Sequence, residues 1–213
     1  MSLVRKPGAR IIIGAGGHAK VLIAAMEAMG EPADALLDDN ASRWGGDLLG
    51  VPIVGGLAEL AAWPEARAVI SIGNNARRKQ IAEAHPRVSW MTVIHPNAIV
   101  HRSASVGAGA MIIWRAVIEP DVTVGAHAIV NSGAIVCHDA VVGDYAHVSV
   151  TSVLAGNARV DEGVFLGMNA SVIGAVTVGA WSTVGAGASV VRDIPPRSVA
   201  VGVPARVIRS IDG

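Results

Sequence analysis

Residues 128–172 read AIVNSGAIVCHDAVVGDYAHVSVTSVLAGNARVDEGVFLGMNASV, with an aliphatic side chain at every sixth place: Val130, Val136, Val142, Val148, Leu154, Val160, Leu166 and Val172. The phase runs in both directions without a slip, from Ile94 to Val190. Four places after the aliphatic residue stands a small one, as at Ala110, Ala116, Ala134, Ala140 and Ala158. A glycine often follows it directly, as at 107, 125, 143, 167, 179 and 185. A period of six matches neither a 3.6-residue helix nor a simple alternating strand. It fits a chain that turns a corner every six residues and sends one aliphatic side chain inward per face. Three hexads then close a triangular coil of about eighteen residues, and the stacked coils make a solenoid. The small residue is expected to fit the tight corner.

Residues before about 93 follow another grammar. Ala9–Ile13 is an apolar run followed by Gly14-Ala15-Gly16-Gly17-His18, and a helical pattern from Ala19 to Met29 ends at Gly30. Further strands are expected at Ala33–Leu37 and Ala68–Ile72, a short helix at Leu57–Ala62 and a full one at Asn75–Ala84. This alternation is a small α/β unit with a parallel sheet. The expected organisation is therefore an α/β unit over 1–93 and a hexapeptide solenoid with a C-terminal cap over 94–213.

Composition excludes several classes. Lys plus Arg and Asp plus Glu are both 17, so no net field recruits nucleic acid or an anionic membrane. Apolar residues make up 52% and charged ones 16%, which is not the balance of a disordered chain. Aromatics are 3% against 25 glycines, so the core must be aliphatic. One cysteine, Cys137, leaves neither an internal disulfide nor a cysteine-cluster zinc site. With a single cysteine a reduced cytoplasm is the expected compartment, and residues 1–17 hold no signal-peptide pattern. Residues 163–191 carry no Asp, Glu, Lys or Arg, but six glycines and regularly spaced Asn, Ser and Thr argue against a membrane span.

The glycine loop between strand and helix, with Asp38 and Asp39 about twenty residues on, fits the loose nucleotide-binding pattern. Glycines admit a pyrophosphate to the backbone, and a helix N-terminus supplies amide donors. The unit is about half a dinucleotide fold, so a mononucleotide suits it better; a packing turn without ligand is the alternative. His18 could donate to a phosphate or stand solvated in the loop. Gly73-Asn74-Asn75 closes a strand where α/β sheets place ligands, or Asn74 merely caps the helix. Arg77, Arg78 and Lys79 read as a solvated face.

In the solenoid, His138 with its acidic neighbour Asp139 is the candidate acid–base pair, because imidazole titrates near neutrality. His138 and His147 both avoid the inward slot and should face outward. Cys137 should turn inward or toward the corner as a buried thiol. Trp114, Phe165 and Trp181 read as scattered apolar contacts. His127, His138 and His147 raise a zinc alternative, but their unequal hexad positions should not converge.

The segments IIGAGGHAK, LLDDN and SIGNNARR, followed by NSGAIVCHDAVVGDYAHVS, AGNARV, FLGMNASV and VAVGVPARVI, closely resemble the hexapeptide-repeat sugar acetyltransferases. That family includes the bacillosamine and perosamine N-acetyltransferases and the sialic-acid O-acetyltransferases. The resemblance implies a mini-Rossmann unit followed by a left-handed parallel β-helix, a homotrimer, and acetyl-CoA as co-substrate with no metal. It implies His138 as catalytic base assisted by Asp139, and acetyl-CoA contacts at His147, Met168 and Ala186. It places the nucleotide-linked amino sugar at Gly16, Gly17, His18, Asp38, Asp39 and Gly73. Asp139 stands where the bacillosamine enzymes carry Glu, and Ala186 where they carry Gly. The expected activity is transfer of acetyl to the 4-amino group of a nucleotide-linked 4-amino-4,6-dideoxy sugar for a surface glycan. Alternatives are a sugar O-acetyltransferase or a nucleotide-sugar-binding solenoid without catalysis.

Overall fold

In the computed structural model, which describes residues 6–63 and 65–211, the chain divides into two compact units, the residues up to Val93 and those from Ile94 on. None of its helices, among the described residues, is long and apolar enough to cross a membrane.

The first unit is built on β1 (Arg10–Ile13), α1 (Gly17–Ala28), β2 (Ala35–Leu37), β3 (Asp47–Leu48), β4 (Val51–Gly55), β5 (Arg67–Ile70), α2 (Asn75–Ala84) and β6 (Ser89–Trp90). Its sheet runs β3-β4-β2-β1-β5-β6, parallel throughout except for the β3–β4 hairpin. Ile11, Ile12, Ile13, Leu36, Leu37, Val69 and Ile70 are wholly buried, as strands covered on both faces should be. Gly30 ends α1 in the left-handed region (φ 72°). Leu57–Ala62 forms a 3₁₀ turn rather than an α-helix. The β3–β4 hairpin is not foreseen: Asp47 to Val54 has neither regular alternation nor a long apolar run, and its register is fixed through pairing with β2.

In the second unit the hexads are laid out in three sheets, of eight, six and five strands, parallel except at the edge strand Arg206–Ser210 of the largest. Each two-residue strand pairs with the one eighteen residues on, as Ile135–Val136 does with Val153–Leu154. Two side chains per hexad point inward, not one. Ala134 and Val136, Ala140 and Val142, Ala146 and Val148 are all fully buried. The alanines expected at the corner are therefore core residues, alternating with the aliphatics across an outward residue. Each buried Val or Leu contributes roughly 1.5–3 kcal/mol. The glycines that follow answer to coil spacing: a Cβ at Gly143 would lie 2.6 Å from the main chain of Asp161 and Glu162.

The corners obey a rule the composition hides. Every sixth residue from 109 to 187 is left-handed, with φ between 54° and 72°, whether it is Gly109, Arg115, Asp139, Tyr145 or Trp181. Such a conformation costs a non-glycine residue on the order of 1 kcal/mol. It is offset by a hydrogen bond back to the preceding coil, as from Asp139 N–H to Pro120 O (3.1 Å) and Asn157 N–H to His138 O (3.0 Å). The last coil is capped by the antiparallel strands Ser198–Val201 and Arg206–Ser210.

Candidate active site

In the first unit, the C-terminal edges of β1, β2 and β5 border a cleft of about 450 Å³ lined by Gly16, Gly17, His18, Asp38, Asp39 and Gly73 among others. All six residues assigned to the nucleotide sugar thus meet in one place. Gly14 turns the chain out of β1 at φ 97°, where a Cβ would press on Ser71 Oγ at 2.9 Å. Gly16, Gly17 and Gly73 face open space, with nothing within 4 Å of where a Cβ would stand. Their backbone is therefore free to approach a phosphate.

The polar groups around the loop are already engaged. Asp38 Oδ2 accepts Ala15 N–H (2.7 Å) and its Oδ1 accepts Asn40 N–H (2.9 Å). Arg43 Nη1 donates to Ala15 O (2.7 Å), so Asp38 and Arg43 clamp both sides of one residue of the loop. Asp39 accepts Leu57 N–H (2.9 Å) and pairs with Arg77 (3.2 Å) at the exposed rim. His18 is not a solvated loop residue. Burial, with the Arg78 guanidinium nearby, lowers its pKa to about 4, so it is a neutral imidazole at physiological pH. Nor is the basic trio a uniform solvated face. Arg78 is fully buried, donating to Ile72 O (2.8 Å) and Asn75 Oδ1 (2.9 Å), while Lys79 sits in an i,i+4 pair with Glu83. Asn74 caps α2, its side chain accepting Arg77 N–H (2.9 Å).

In the second unit, His138 and Asp139 occupy the corner between the six-stranded and five-stranded sheets. His138 Nδ1 lies 2.8 Å from Asp139 Oδ2, and the two side chains are 59% and 52% exposed. The left-handed φ of Asp139 turns its carboxylate toward the imidazole. Hydrogen bonding to Asp139 raises the His138 pKa above its usual value, and the Glu119 carboxylate adds to the effect. The ring lies over Gly156 of the next coil, where a Cβ would come within 2.6 Å of Nε2. The glycine of AGNARV thus leaves room for this imidazole.

Sequence reasoning overlooked Glu119. It stands one coil back and accepts His138 N–H at 2.9 Å. Its only sequence signal is spacing, nineteen residues before the candidate base in an eighteen-residue repeat. Cys137 is half-buried, not enclosed, and burial together with Glu119 pushes its thiol pKa up.

His147 points outward between Ala146 and Val148 yet is only 8% exposed. The Phe165 ring meets it edge-on at 5.3 Å, and Asn131 Nδ2 lies 3.2 Å from its Nε2, so neighbouring coils cover it. Trp114, Phe165 and Trp181 are likewise packed in their own chain, against His95, His147 and Gly163. Met168 and Ala186 are exposed and stacked, Gly187 N–H donating to Met168 O at 2.8 Å, with open space beside Gly187. They lie at the corner between the eight- and six-stranded sheets, a different corner from that of His138. One copy therefore brings together His138 with Asp139, and Met168 with Ala186, but not the two pairs. Among the described residues no three of His, Cys, Asp and Glu are grouped to hold a metal ion.

A hexapeptide coil with an exposed, acid-paired histidine at a corner defines an acyltransferase of the β-helical class. Comparison with known proteins gives the particular family. Residues 11–85 match the PglD N-terminal domain. The UDP-N-acetylbacillosamine N-acetyltransferase of Bacillus subtilis is 42% identical over 109 residues, 48% of this chain and 50% of that protein, so the match spans half that relative's length. The structure of PerB from Caulobacter crescentus, in complex with CoA and GDP-perosamine, superposes with a TM-score of 0.90 at 40% identity, covering 95% of this chain and 98% of that one. The acetyltransferase domain of PglB from Neisseria gonorrhoeae, in complex with acetyl coenzyme A, gives 0.88 at 32% identity over 95% and 100%. The chain belongs to the hexapeptide-repeat sugar acetyltransferases, and its solenoid is the left-handed parallel β-helix of that family.

Proposed function

We propose that the protein transfers acetyl from acetyl-CoA to the 4-amino group of a nucleotide-linked 4-amino-4,6-dideoxy sugar destined for a surface glycan. The observation that carries this reading is the His138–Asp139 pair at 2.8 Å, with the imidazole more than half exposed. The likeness to PerB, solved with CoA and GDP-perosamine, supports the substrate class. With Nδ1–H donated to Asp139, Nε2 keeps its lone pair and can take the proton from the amine as nitrogen attacks the acyl carbon. The C–N bond forms as the C–S bond breaks, and the proton held on His138 goes on to the departing sulfur. Acetyl-CoA supplies the acyl group and a thiolate leaving group. Asp139 holds the ring and favours the imidazolium that forms.

The domain roles follow the same reading. The Gly16–Gly17 loop and the rim at Asp39 and Gly73 hold the nucleotide diphosphate sugar, with neutral His18 offering an N–H. Met168 and Ala186 hold the acyl donor, with His147 covered behind Asn131 and Phe165. The His138 corner and the Met168 corner lie on different edges of the solenoid and in different coils, thirty residues apart. A cyclic homotrimer that sets one copy's first corner against its neighbour's second completes the site. Both substrates are metabolites of the cytoplasm, the compartment in which the reaction is expected.

An acceptor screen with free CoA thiol as readout tests the reading. Thiol release with nucleotide-linked 4-amino sugars is the expected result, and turnover on hydroxyl acceptors alone would overturn it. Light scattering on the active preparation should give a trimer mass; an active monomer would sink the shared site.

A further inference from the structure

Each hexad uses its main-chain donors in a fixed way. In the coil of His138, Cys137 N–H donates to Leu154 O (2.9 Å) in the next coil, and so does Val141 N–H to Ala158 O (2.9 Å). Asp139 N–H donates back to Pro120 O, and Ala140 N–H closes the turn on Cys137 O (3.2 Å). At His138, between Cys137 and Asp139, the carbonyl joins this ladder by accepting Asn157 N–H, but the N–H lies outside it. That N–H goes to a side chain instead, Glu119 Oε2 at 2.9 Å. The equivalent N–H of Ala126 is also taken by a carboxylate, Asp144 Oδ1 at 2.7 Å. At two corners, then, a carboxylate fixes the corner peptide, and one of them carries the imidazole; at Ser132 an amide oxygen, Asn131 Oδ1, does the same at 2.8 Å.

We propose that Glu119 is a positioning residue for His138: its half-buried carboxylate pins the main chain of the base and keeps a second negative charge behind the ring. The inference rests on His138 being the base. A charge-assisted hydrogen bond to a main-chain N–H is shorter and stronger than a neutral one. It steadies the segment from which both His138 and left-handed Asp139 project, so the Nδ1–Oδ2 contact is formed before substrate arrives.

The charges facing His138 can be named from every side. Asp139 lies beside it. Glu119 comes from the coil before, and Gly156 and Asn157 of the coil after carry none. Cys137 stays a neutral thiol, since burial and Glu119 push its pKa upward. Glu119 therefore adds to the Asp139 field.

Two substitutions separate geometry from charge. Glu119→Gln keeps an oxygen for the His138 N–H and removes the charge; Glu119→Ala removes both. The His138 ring is followed by NMR titration, its signal assigned by its loss in His138→Asn. Kinetics are run across pH alongside. In Glu119→Gln the His138 midpoint and the acid limb of kcat/KM should fall together, with kcat reduced about threefold. In Glu119→Ala kcat should fall on the order of tenfold while both KM values stay within about twofold. An unchanged midpoint and kcat in folded Glu119→Gln would overturn the proposal, and Glu119→Gln carries the test if Glu119→Ala does not fold. Unchanged turnover in His138→Asn would instead overturn the base itself, whatever the titration shows.

Discussion

His18 and His138 are one residue type in two kinds of folding unit, and the units drive them in opposite directions. The α/β unit is concave at its sheet edge. It buries His18 beside Arg78 and lowers its pKa to about 4. The solenoid is convex at its corners. It leaves His138 exposed and raises its pKa through Asp139. Concavity makes a binding pocket out of one chain, whereas a convex corner can present a base but cannot enclose it. The cleft assigned to the nucleotide sugar is lined by a single chain, whereas His138 stands exposed at its corner.

The comparison breaks most directly at His138. His138→Ala should lower kcat and kcat/KM together by about 10²–10⁴-fold, the usual share of a general base. Steady-state thiol release at saturating nucleotide sugar measures it. A loss confined to KM would make His138 a binding group and erase the contrast with His18.

The next effect falls on stability. An unfolded histidine titrates near 6.5 and folded His18 near 4, so between those values the unfolded chain binds more protons. Stability contributed by neutral His18 is then complete above about pH 6.5 and is lost as pH falls toward 4, by an amount on the order of 3 kcal/mol. Denaturant melts of the wild type and His18→Gln from pH 7 to 4 should converge in acid as that slope disappears. Parallel slopes would mean that His18 is not held neutral by the fold.

Asp139 sharpens the other side. Its carboxylate favours imidazolium, so activity, which needs the neutral ring, should decline as pH drops through a pKa above the usual value. Asp139→Asn should move that acid limb to lower pH and reduce the plateau by roughly tenfold, because the weakened base is also less well held. An acid limb that stays in place would show that the 2.8 Å contact orients the ring without tuning it.

The two regions are unequally legible in the sequence. A six-residue period survives any solvent exposure because it is written in the aliphatic core, so the solenoid and its corner histidine can be read directly. What the period cannot show is contact between coils. Glu119 reaches His138 across nineteen residues, and Gly156 makes room for the ring from eighteen away; both become neighbours only once the coil is closed. The left-handed corners are hidden for a related reason: Arg115, Tyr145 and Trp181 tolerate the conformation because the ladder over-determines it. In the α/β unit the glycine loop marks the cleft, but charge pattern alone cannot tell exposed Arg77 from buried Arg78.

The smallest expected effect separates the two aspartates. Asp38 is committed to Ala15, Asn40 and Arg43, and its side chain is 15% exposed, so replacing it would loosen the loop itself. Asp39 stands at the rim, 55% exposed, holding Leu57 N–H and the equally accessible Arg77. Exposed pairs of this kind contribute at most about 1 kcal/mol. Asp39→Ala should therefore raise the nucleotide-sugar KM by about three- to fivefold, the equivalent of less than 1 kcal/mol. The acetyl-CoA KM should not move, because the acyl donor is assigned to the solenoid corner at Met168 and Ala186. The kcat should hold too, unless binding energy at the nucleotide is used to orient the amine. Initial rates with each substrate varied at saturating levels of the other give all three numbers. A rise in the acetyl-CoA KM with the sugar KM unchanged would reverse the division of labour between the two units.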